Sequence, residues 1–165
     1  KNLIKEISIN VNLFSKETLN IHKDINLNDI WLNINNHKDF NTIHNHPFSI
    51  ISGIFYIKTP NNCGGLDFHN SSQIKCFINE DILKQYNNYN CSKWYFPVEE
   101  NEVYLFPSWL EHSVRPNLSN EERISFSFNF FKSKPTILPN PRCKGISPYN
   151  VFNKLLLPLP VLPIK

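Results

Sequence analysis

The sequence contains no methionine, only four glycines, and no apolar run long enough to cross a bilayer. Because a membrane-spanning helix needs about 20 consecutive apolar residues, the sequence predicts no transmembrane helix. The chain opens with Lys1 rather than a methionine. We therefore expect it to lack its natural start or to be a domain cut from a longer protein.

Cysteine is also sparse and widely spaced, and no two cysteines form a CxxC motif. This spacing excludes a zinc ribbon and a thioredoxin-like redox site. Since the N-terminus shows no signal-peptide pattern, we expect free thiols, a reducing compartment and a cytoplasmic location. Two disulfides in a secreted protein are the alternative. The four residues are Cys63, Cys76, Cys91 and Cys143.

The chain has no basic run. Its 17 Lys and Arg are scattered among 14 Asp and Glu, for a net charge of +3. A nucleic-acid-binding surface would cluster its basic residues, so no nucleic-acid partner is evident. A hydrophobic fraction of 41% in 165 residues is enough for one folded core. Composition leaves the oligomeric state open.

Short runs of alternating apolar and polar residues dominate the rest of the chain. Many short strands separated by turn residues favour a mainly all-β sandwich or barrel. One short helix is predicted over Glu80–Tyr86, after the possible cap Asn79. The predicted strands are Glu6–Phe14, Ile30–Ile34, Ile50–Ile57, Gln73–Phe77, Val103–Phe106 and Arg123–Phe131.

The character of the chain changes at Lys132, after which seven prolines exclude long regular structure. We expect residues 1–131 to form the barrel domain. Residues 132–165 are predicted to be a proline-rich extension packed on that barrel. A linker to a further domain is the alternative.

Three histidines are candidate metal ligands. His44 and His46 belong to the motif His44-Asn45-His46-Pro47, and residues i and i+2 of a strand point to the same face. His112 follows a strand and a proline turn, so a returning strand could deliver it opposite the other two. Imidazole suits iron, zinc, copper and nickel. Taken singly, the first motif favours a polar strand edge and the second favours a surface histidine after a turn.

The segment beginning at Arg123 alternates strictly. Its apolar face must be buried, whereas its polar face either meets water or lines a polar barrel interior. In the second case Arg123 can bind a carboxylate through two parallel hydrogen bonds, and a serine hydroxyl can add a third. The polar face comprises Arg123, Ser125, Ser127 and Asn129.

In order and spacing, these motifs together resemble the double-stranded β-helix oxygenases that use Fe(II) and 2-oxoglutarate. Arg123 lies 11 residues beyond His112 and within an Arg-x-Ser motif. A closer resemblance is to a group of 2-oxoglutarate oxygenases common in marine bacteria and phages, over roughly residues 30–130. It is carried by Trp31-Leu32-Asn33-Ile34, His44-Asn45-His46-Pro47, Ser52-Gly53-Ile54-Phe55-Tyr56, Phe106-Pro107-Ser108-Trp109-Leu110-Glu111-His112 and Glu122-Arg123-Ile124-Ser125-Phe126-Ser127-Phe128-Asn129.

The resemblance implies a double-stranded β-helix, or jelly-roll barrel, with one or two short helices as the catalytic domain. It implies an oxygenase, and a hydroxylase, whose primary substrate is an unknown small molecule or peptide, with Fe(II) and 2-oxoglutarate as cofactors. The implied iron ligands and catalytic residues are His44, His46 and His112. The implied 2-oxoglutarate contacts are Arg123, Ser125, Tyr56 and Asn129.

One position departs from the superfamily pattern, in which a carboxylate stands where this chain has His46. If a carboxylate is used after all, Asp67 is the first candidate and Asp39 a weaker one. His69 could also face the site, although a surface position is its default interpretation.

Two alternatives stay open at this point. A cupin-like three-histidine dioxygenase would work without 2-oxoglutarate, but the acidic cupin ligand is replaced here by Ile50 or Ile51. A non-catalytic β-barrel that binds sugar or peptide would use the histidines structurally or for zinc. Neither alternative gives Arg123 and Ser125 a role.

Overall fold

The computed structural model describes residues 2–70, 83–87 and 90–131. Within them the chain forms one helix and eight strands. The helix α1 spans Leu3–Leu19. The strands are β1 Asn26–Asn35, β2 Asn41–His44, β3 Ile51–Lys58, β4 Leu66–His69, β5 Lys93–Phe96, β6 Val103–Pro107, β7 His112–Val114 and β8 Arg123–Phe131.

The N-terminal strand predicted over Glu6–Phe14 is wrong, because this segment lies inside α1. The sequence alternates there, but Ile9 and Leu13 are 54% and 47% exposed. The helix buries Ile7, Val11, Phe14 and Ser15 instead, which is the spacing of one helical face. Local signals agree with the helix, since Asn2 caps its start. Asn20 ends it in the left-handed conformation.

The strands form two four-stranded antiparallel sheets with the orders β1-β8-β3-β6 and β2-β7-β4-β5. We call them the major and the minor sheet. One apolar cluster joins their facing sides through Ile54 and Phe106 of the major sheet and Leu66 and Phe68 of the minor sheet. This arrangement confirms the predicted double-stranded β-helix.

The outer side of the major sheet is covered by α1. Phe128 and Phe130 of β8 pack there with Val11 in a second apolar cluster. Because side chains alternate along a strand, Arg123 and Ser125 of the same strand face the inside of the barrel. The polar face of β8 therefore lines the interior of the barrel, which is one of the two positions that the sequence left open.

The remaining strand predictions fall into two groups. The strands predicted near Ile30, Ile50, Val103 and Arg123 are present as β1, β3, β6 and β8. The strand predicted over residues 73–77, the start of the helix predicted over residues 80–86, and the whole extension 132–165 lie outside the described residues. Residues 83–86, the described part of that predicted helix, are not helical.

Two smaller expectations concern membranes and thiols. In the described part of the chain, no helix has the length and apolar character needed to span a membrane. Cys63 and Cys91 are buried free thiols. Cys76 and Cys143 lie outside the described residues.

Candidate metal centre and carboxylate site

The three predicted histidines meet at one end of the barrel. His44 ends β2 and stands directly opposite His112, which begins β7. His46 lies two residues beyond β2, and its backbone N–H donates to the carbonyl of Ser108 at 2.9 Å. The candidate ligand nitrogens of all three lie within 4.8 Å of one another. The Nε2 atoms of His46 and His112 are 3.3 Å apart.

These distances suit a single metal ion. Two nitrogens bound to one metal at about 2.1 Å lie roughly 3 Å apart. The three imidazole rings also group tightly, with centroids 4.3 Å apart for His44 and His112, and 5.1 Å apart for the other two pairs. A small adjustment of the rings would complete a three-nitrogen site.

Two of the rings are oriented by backbone carbonyls. Nδ1 of His44 lies 2.7 Å from the carbonyl of Thr42, and Nδ1 of His112 lies 2.9 Å from the carbonyl of Leu110. Since a carbonyl only accepts, each Nδ1 must carry the proton. The lone pair is then on Nε2, as in metal-binding histidines fixed by an outer partner, and Nε2 of His112 is the atom that lies beside His46.

Burial also favours the neutral form of two of these histidines. Burial lowers the pKa of His112 to about 4, although its bond to Leu110 opposes the shift. Burial, and then the neighbouring His44, lower the pKa of His46 as well. Neutral imidazole is the form that binds metals, so these two rings need not lose a proton at pH 7.

Asp67, the carboxylate considered as an alternative ligand, lies outside this cluster. Its two oxygens accept from Nε and Nη2 of Arg115, both at 2.8 Å. Its neighbour Phe68 is the residue opposite His112, so alternation turns Asp67 to the other face of the minor sheet. His69 is on that face too, with Nε2 2.9 Å from Oγ of Ser113.

Asp39, the weaker carboxylate candidate, is also held elsewhere. Its side chain accepts from the backbone N–H of Asn36 at 2.7 Å in an exposed turn. Among the described residues, no carboxylate joins the three histidines as a group that could hold a metal. The arrangement therefore favours the three-histidine site over the carboxylate-containing one.

We predict that Asp67→Asn leaves metal binding unchanged and lowers the free energy of unfolding by about 2–3 kcal/mol, as expected for charged hydrogen bonds. Burial would raise the pKa of Asp67, but the bonds and charge of Arg115 and the charge of Lys93 outweigh it and lower that pKa. The stabilisation by these bonds is therefore complete above about pH 3.9, the pKa of Asp67 in the unfolded chain. It is lost as the pH falls through the lower pKa of Asp67 in the folded protein.

Urea unfolding of wild type and Asp67→Asn at several pH values measures this effect. The difference between the two proteins should be largest near neutral pH and should shrink in acid. Loss of the bound metal in Asp67→Asn at neutral pH, with the fold intact, would instead make Asp67 a ligand.

Arg123 is completely buried and lies on the wall of the same pocket as the histidines. Its Nη1 donates to the carbonyls of Cys63 and Arg115, the second at 3.0 Å. Its Nε and Nη2 are buried and have no hydrogen-bond partner among the described residues. Burial lowers the pKa of Arg123, but a guanidinium keeps its charge in proteins.

Gly64 follows Cys63, whose carbonyl holds Arg123, and it lies close to the carbonyl of Arg115, which also holds Arg123. The glycine has a φ of 74°, and a Cβ there would lie 2.6 Å from the carbonyl oxygen of Pro116 and 2.8 Å from that of Arg115. Only glycine tolerates both the left-handed conformation and this contact. The turn after Cys63 is thus fixed against the segment that follows β7.

The acidic residue that could have paired with Arg123 is engaged elsewhere. Glu121 forms an ion pair with Lys58 at 2.9 Å, and both side chains are exposed. Strand alternation alone would allow Glu121 to share the face of Arg123 and to compete as its partner. Among the described residues, Glu121 therefore pairs at the surface with Lys58 rather than with Arg123.

Of the three other residues predicted to contact 2-oxoglutarate, two line the pocket and one does not. Tyr56 and Ser125 are buried and line the pocket. Burial raises the pKa of Tyr56, against the opposing charge of Arg123, so its hydroxyl stays protonated and can donate. Asn129 is not among the lining residues. Its Oδ1 accepts instead from Oγ of Ser52 at 2.7 Å.

The structure adds pocket residues that the sequence analysis did not assign to the site. Asn35 and Asn41 line it, and the Trp31 ring lies 5.9 Å from the ring of His46. The amide of Asn33 donates to Ser127 at 2.8 Å on the same wall. No carboxylate lines the described part of this pocket. Alternation along β1 separates the two faces of this strand, but a single sequence does not show which face points inward.

A protein-family model described as "Putative 2OG-Fe(II) oxygenase" matches residues 29–129. The matched segment contains all three histidines and Arg123. Among curated proteins, none matches this chain.

Several solved structures have similar folds. A 2OG-Fe(II) oxygenase family oxidoreductase from Burkholderia pseudomallei is 13% identical with a TM-score of 0.56, over 73% of this chain and 51% of that chain. AviO1 from Streptomyces viridochromogenes is 12% identical with a TM-score of 0.55, over 83% and 61%. HygX from Streptomyces hygroscopicus, solved with nickel and 2-oxoglutarate bound, is 9% identical with a TM-score of 0.51, over 78% and 66%.

At these identities the likeness shows a shared fold. The chain spans about half the length of the Burkholderia protein.

Proposed function

Since the chain belongs to the 2OG-Fe(II) oxygenase family, we propose that it is an Fe(II)- and 2-oxoglutarate-dependent hydroxylase acting on a small molecule or a peptide. Its cofactors are Fe(II) and 2-oxoglutarate. We assign the iron to His44, His46 and His112, and the distal carboxylate of 2-oxoglutarate to Arg123. Residues 1–131 form the catalytic domain in this proposal.

The single observation that carries the proposal is the unpaired edge of Arg123 in the pocket of the three histidines. A buried charge without an anionic partner is strongly unfavourable, so this edge calls for a ligand. The protein itself shows what fits such an edge. Nε and Nη2 of Arg115 hold the two oxygens of Asp67 at 2.8 Å each.

The donors around the proposed iron also fit. Three neutral imidazoles suit Fe(II), and two of the three rings present Nε2 because a carbonyl holds Nδ1. When bound, Fe(II) with 2-oxoglutarate and dioxygen converts 2-oxoglutarate to succinate and carbon dioxide and inserts one oxygen atom into a substrate C–H bond. The protein supplies binding, orientation and a pocket sheltered from water.

In this proposal each residue of the pocket has a defined role. Arg123 anchors one end of 2-oxoglutarate through a bidentate pair, and Ser125 and the protonated Tyr56 are placed to donate to the same carboxylate. The two carbonyls on Nη1 restrain rotation of the guanidinium, so the position of its unpaired edge is fixed. The amides of Asn35 and Asn41 and the Trp31 ring provide an uncharged wall for the substrate.

The proposal is tested by following succinate formation from 2-oxoglutarate in air with added Fe(II), first without and then with pools of candidate small molecules and peptides. We expect slow, iron-dependent succinate formation alone and stimulation by a true substrate. Removal of iron with a chelator should stop it. A protein that binds zinc tightly and forms no succinate under any of these conditions would support the binding-module alternative instead.

A further inference from the structure

We propose that the buried side chains of Ser52, Ser108 and Asn129 form a hydrogen-bond chain that positions His46 and His112 for metal binding. The inference rests on the proposed function, because it concerns the same three-histidine site. It assigns Asn129 a different role from the cofactor contact that the sequence predicted.

The chain of hydrogen bonds has a defined direction. Oγ of Ser52 donates to Oδ1 of Asn129 at 2.7 Å and lies 2.8 Å from Oγ of Ser108. A hydroxyl carries one hydrogen, and that of Ser52 is used on Asn129. Ser108 must therefore donate to Ser52. The bonds run from the turn after β6, through β3, to β8.

The turn that contains Ser108 holds both metal-binding elements. The carbonyl of Ser108 accepts the backbone N–H of His46 at 2.9 Å. Two residues later, the carbonyl of Leu110 accepts from Nδ1 of His112, also at 2.9 Å. The turn is closed by Leu110 N–H donating to Pro107 at 2.9 Å. Displacing this turn would therefore displace both rings together.

The side chain of Ser108 anchors this turn to the major sheet. The turn crosses from β6 in the major sheet to β7 in the minor sheet, with only residues 108–111 between them. Ser108 is completely buried, and its backbone N–H donates to the carbonyl of Ile50 at 3.0 Å. Its hydroxyl adds a second attachment, to the centre of the sheet, which fixes the rotation of the turn as well as its position.

Asn129 acts through this chain rather than on the cosubstrate. It is buried, does not line the pocket, and faces Ser52 across the β3–β8 pair. Outer partners of metal ligands typically contribute about 10–100-fold to metal affinity. We therefore expect a comparable contribution here, without a direct effect on 2-oxoglutarate.

The test uses Co(II), whose visible absorption reports ligand geometry, titrated into the full chain. Ser108→Ala should weaken Co(II) binding about ten-fold and shift the absorption bands. Ser52→Ala should do so more strongly, because it leaves a buried donor and a buried acceptor without their partner. The matched control is Ser113→Ala, which removes a hydroxyl bond beside His112 on the opposite face. It should leave affinity and bands unchanged.

Asn129→Leu separates the two roles considered for Asn129. With Co(II) saturating, its 2-oxoglutarate affinity should match wild type while its absorption bands are shifted. Weaker 2-oxoglutarate binding with wild-type bands would make Asn129 a cosubstrate contact and overturn the inference. So would wild-type affinity and bands in both Ser52→Ala and Ser108→Ala. A wild-type chain that does not bind Co(II) would overturn the proposed function itself, which is a distinguishable result.

Discussion

His44→Ala and His112→Ala are each expected to weaken Fe(II) binding by more than about a hundred-fold, because losing a ligand exceeds the effect of losing an outer partner. His112 is buried, and both rings are fixed by carbonyl bonds to Nδ1. Nothing else among the described residues is placed to replace either ring. Anaerobic equilibrium dialysis with Fe(II), followed by iron analysis, measures the loss.

His46→Asp should behave differently from the two alanine variants. A carboxylate at position 46 recreates the two-histidine, one-carboxylate site that Fe(II) favours, so iron binding should be retained or improved. His69→Ala is the matched control, since His69 lies on the other face of the minor sheet, bonded to Ser113. Its iron content should equal that of wild type. Unchanged iron in both His44→Ala and His112→Ala would mean that these two residues are not ligands.

Arg123→Ala is expected to weaken 2-oxoglutarate binding by roughly a hundred-fold, equivalent to about 3 kcal/mol, while metal affinity changes little. The substitution removes a guanidinium that lines the pocket and has two nitrogens without a partner among the described residues. It does not touch the groups that fix the histidines. Titrating 2-oxoglutarate into the metal-loaded protein without oxygen measures the effect, and the retained metal affinity shows that the variant is folded.

Arg123→Lys should cost less, about ten-fold, because the charge remains while the two-pronged geometry is lost. Glu121→Gln is the control, since Glu121 pairs with Lys58 at the surface. Its 2-oxoglutarate affinity should equal that of wild type. Equal affinity in wild type and Arg123→Ala would remove the cosubstrate role of this residue and favour a cupin-like site.

Two local patterns in the sequence predict where the candidate site residues lie in the fold. The i, i+2 spacing of His44 and His46 and the proline turn before His112 were enough to predict their convergence. Strict alternation predicted that Arg123 and Ser125 share a face. That this face is the interior follows from the other face, whose Phe128 and Phe130 pack beneath α1.

The N-terminal helix was missed because its sequence fits two periods. Ile7, Ile9, Val11 and Leu13 alternate like a strand, yet only Ile7 and Val11 of these are buried. A sheet face of aromatic residues must be shielded from water by another element, and an amphipathic helix can pack on it. The decision depends on tertiary packing, which local alternation does not encode.

The roles of Asp67 and Asn129 could not be predicted either, because each depends on strand register. Asp67 faces Arg115 rather than the histidines since it lies one residue before Phe68, which is opposite His112. Asn129 shares the inward face of β8 but is opposite Ser52, away from the pocket. A shift of one residue in either strand would reverse these assignments.

The most direct test of the central claim is an anaerobic titration of the protein with Fe(II) and then 2-oxoglutarate, followed by visible absorption. Chelation of one Fe(II) by 2-oxoglutarate in the three-histidine site should produce a charge-transfer band that saturates at one equivalent of each. The band should require far more 2-oxoglutarate in Arg123→Ala. Tight Fe(II) binding without any band on adding 2-oxoglutarate to the wild-type protein would contradict the account.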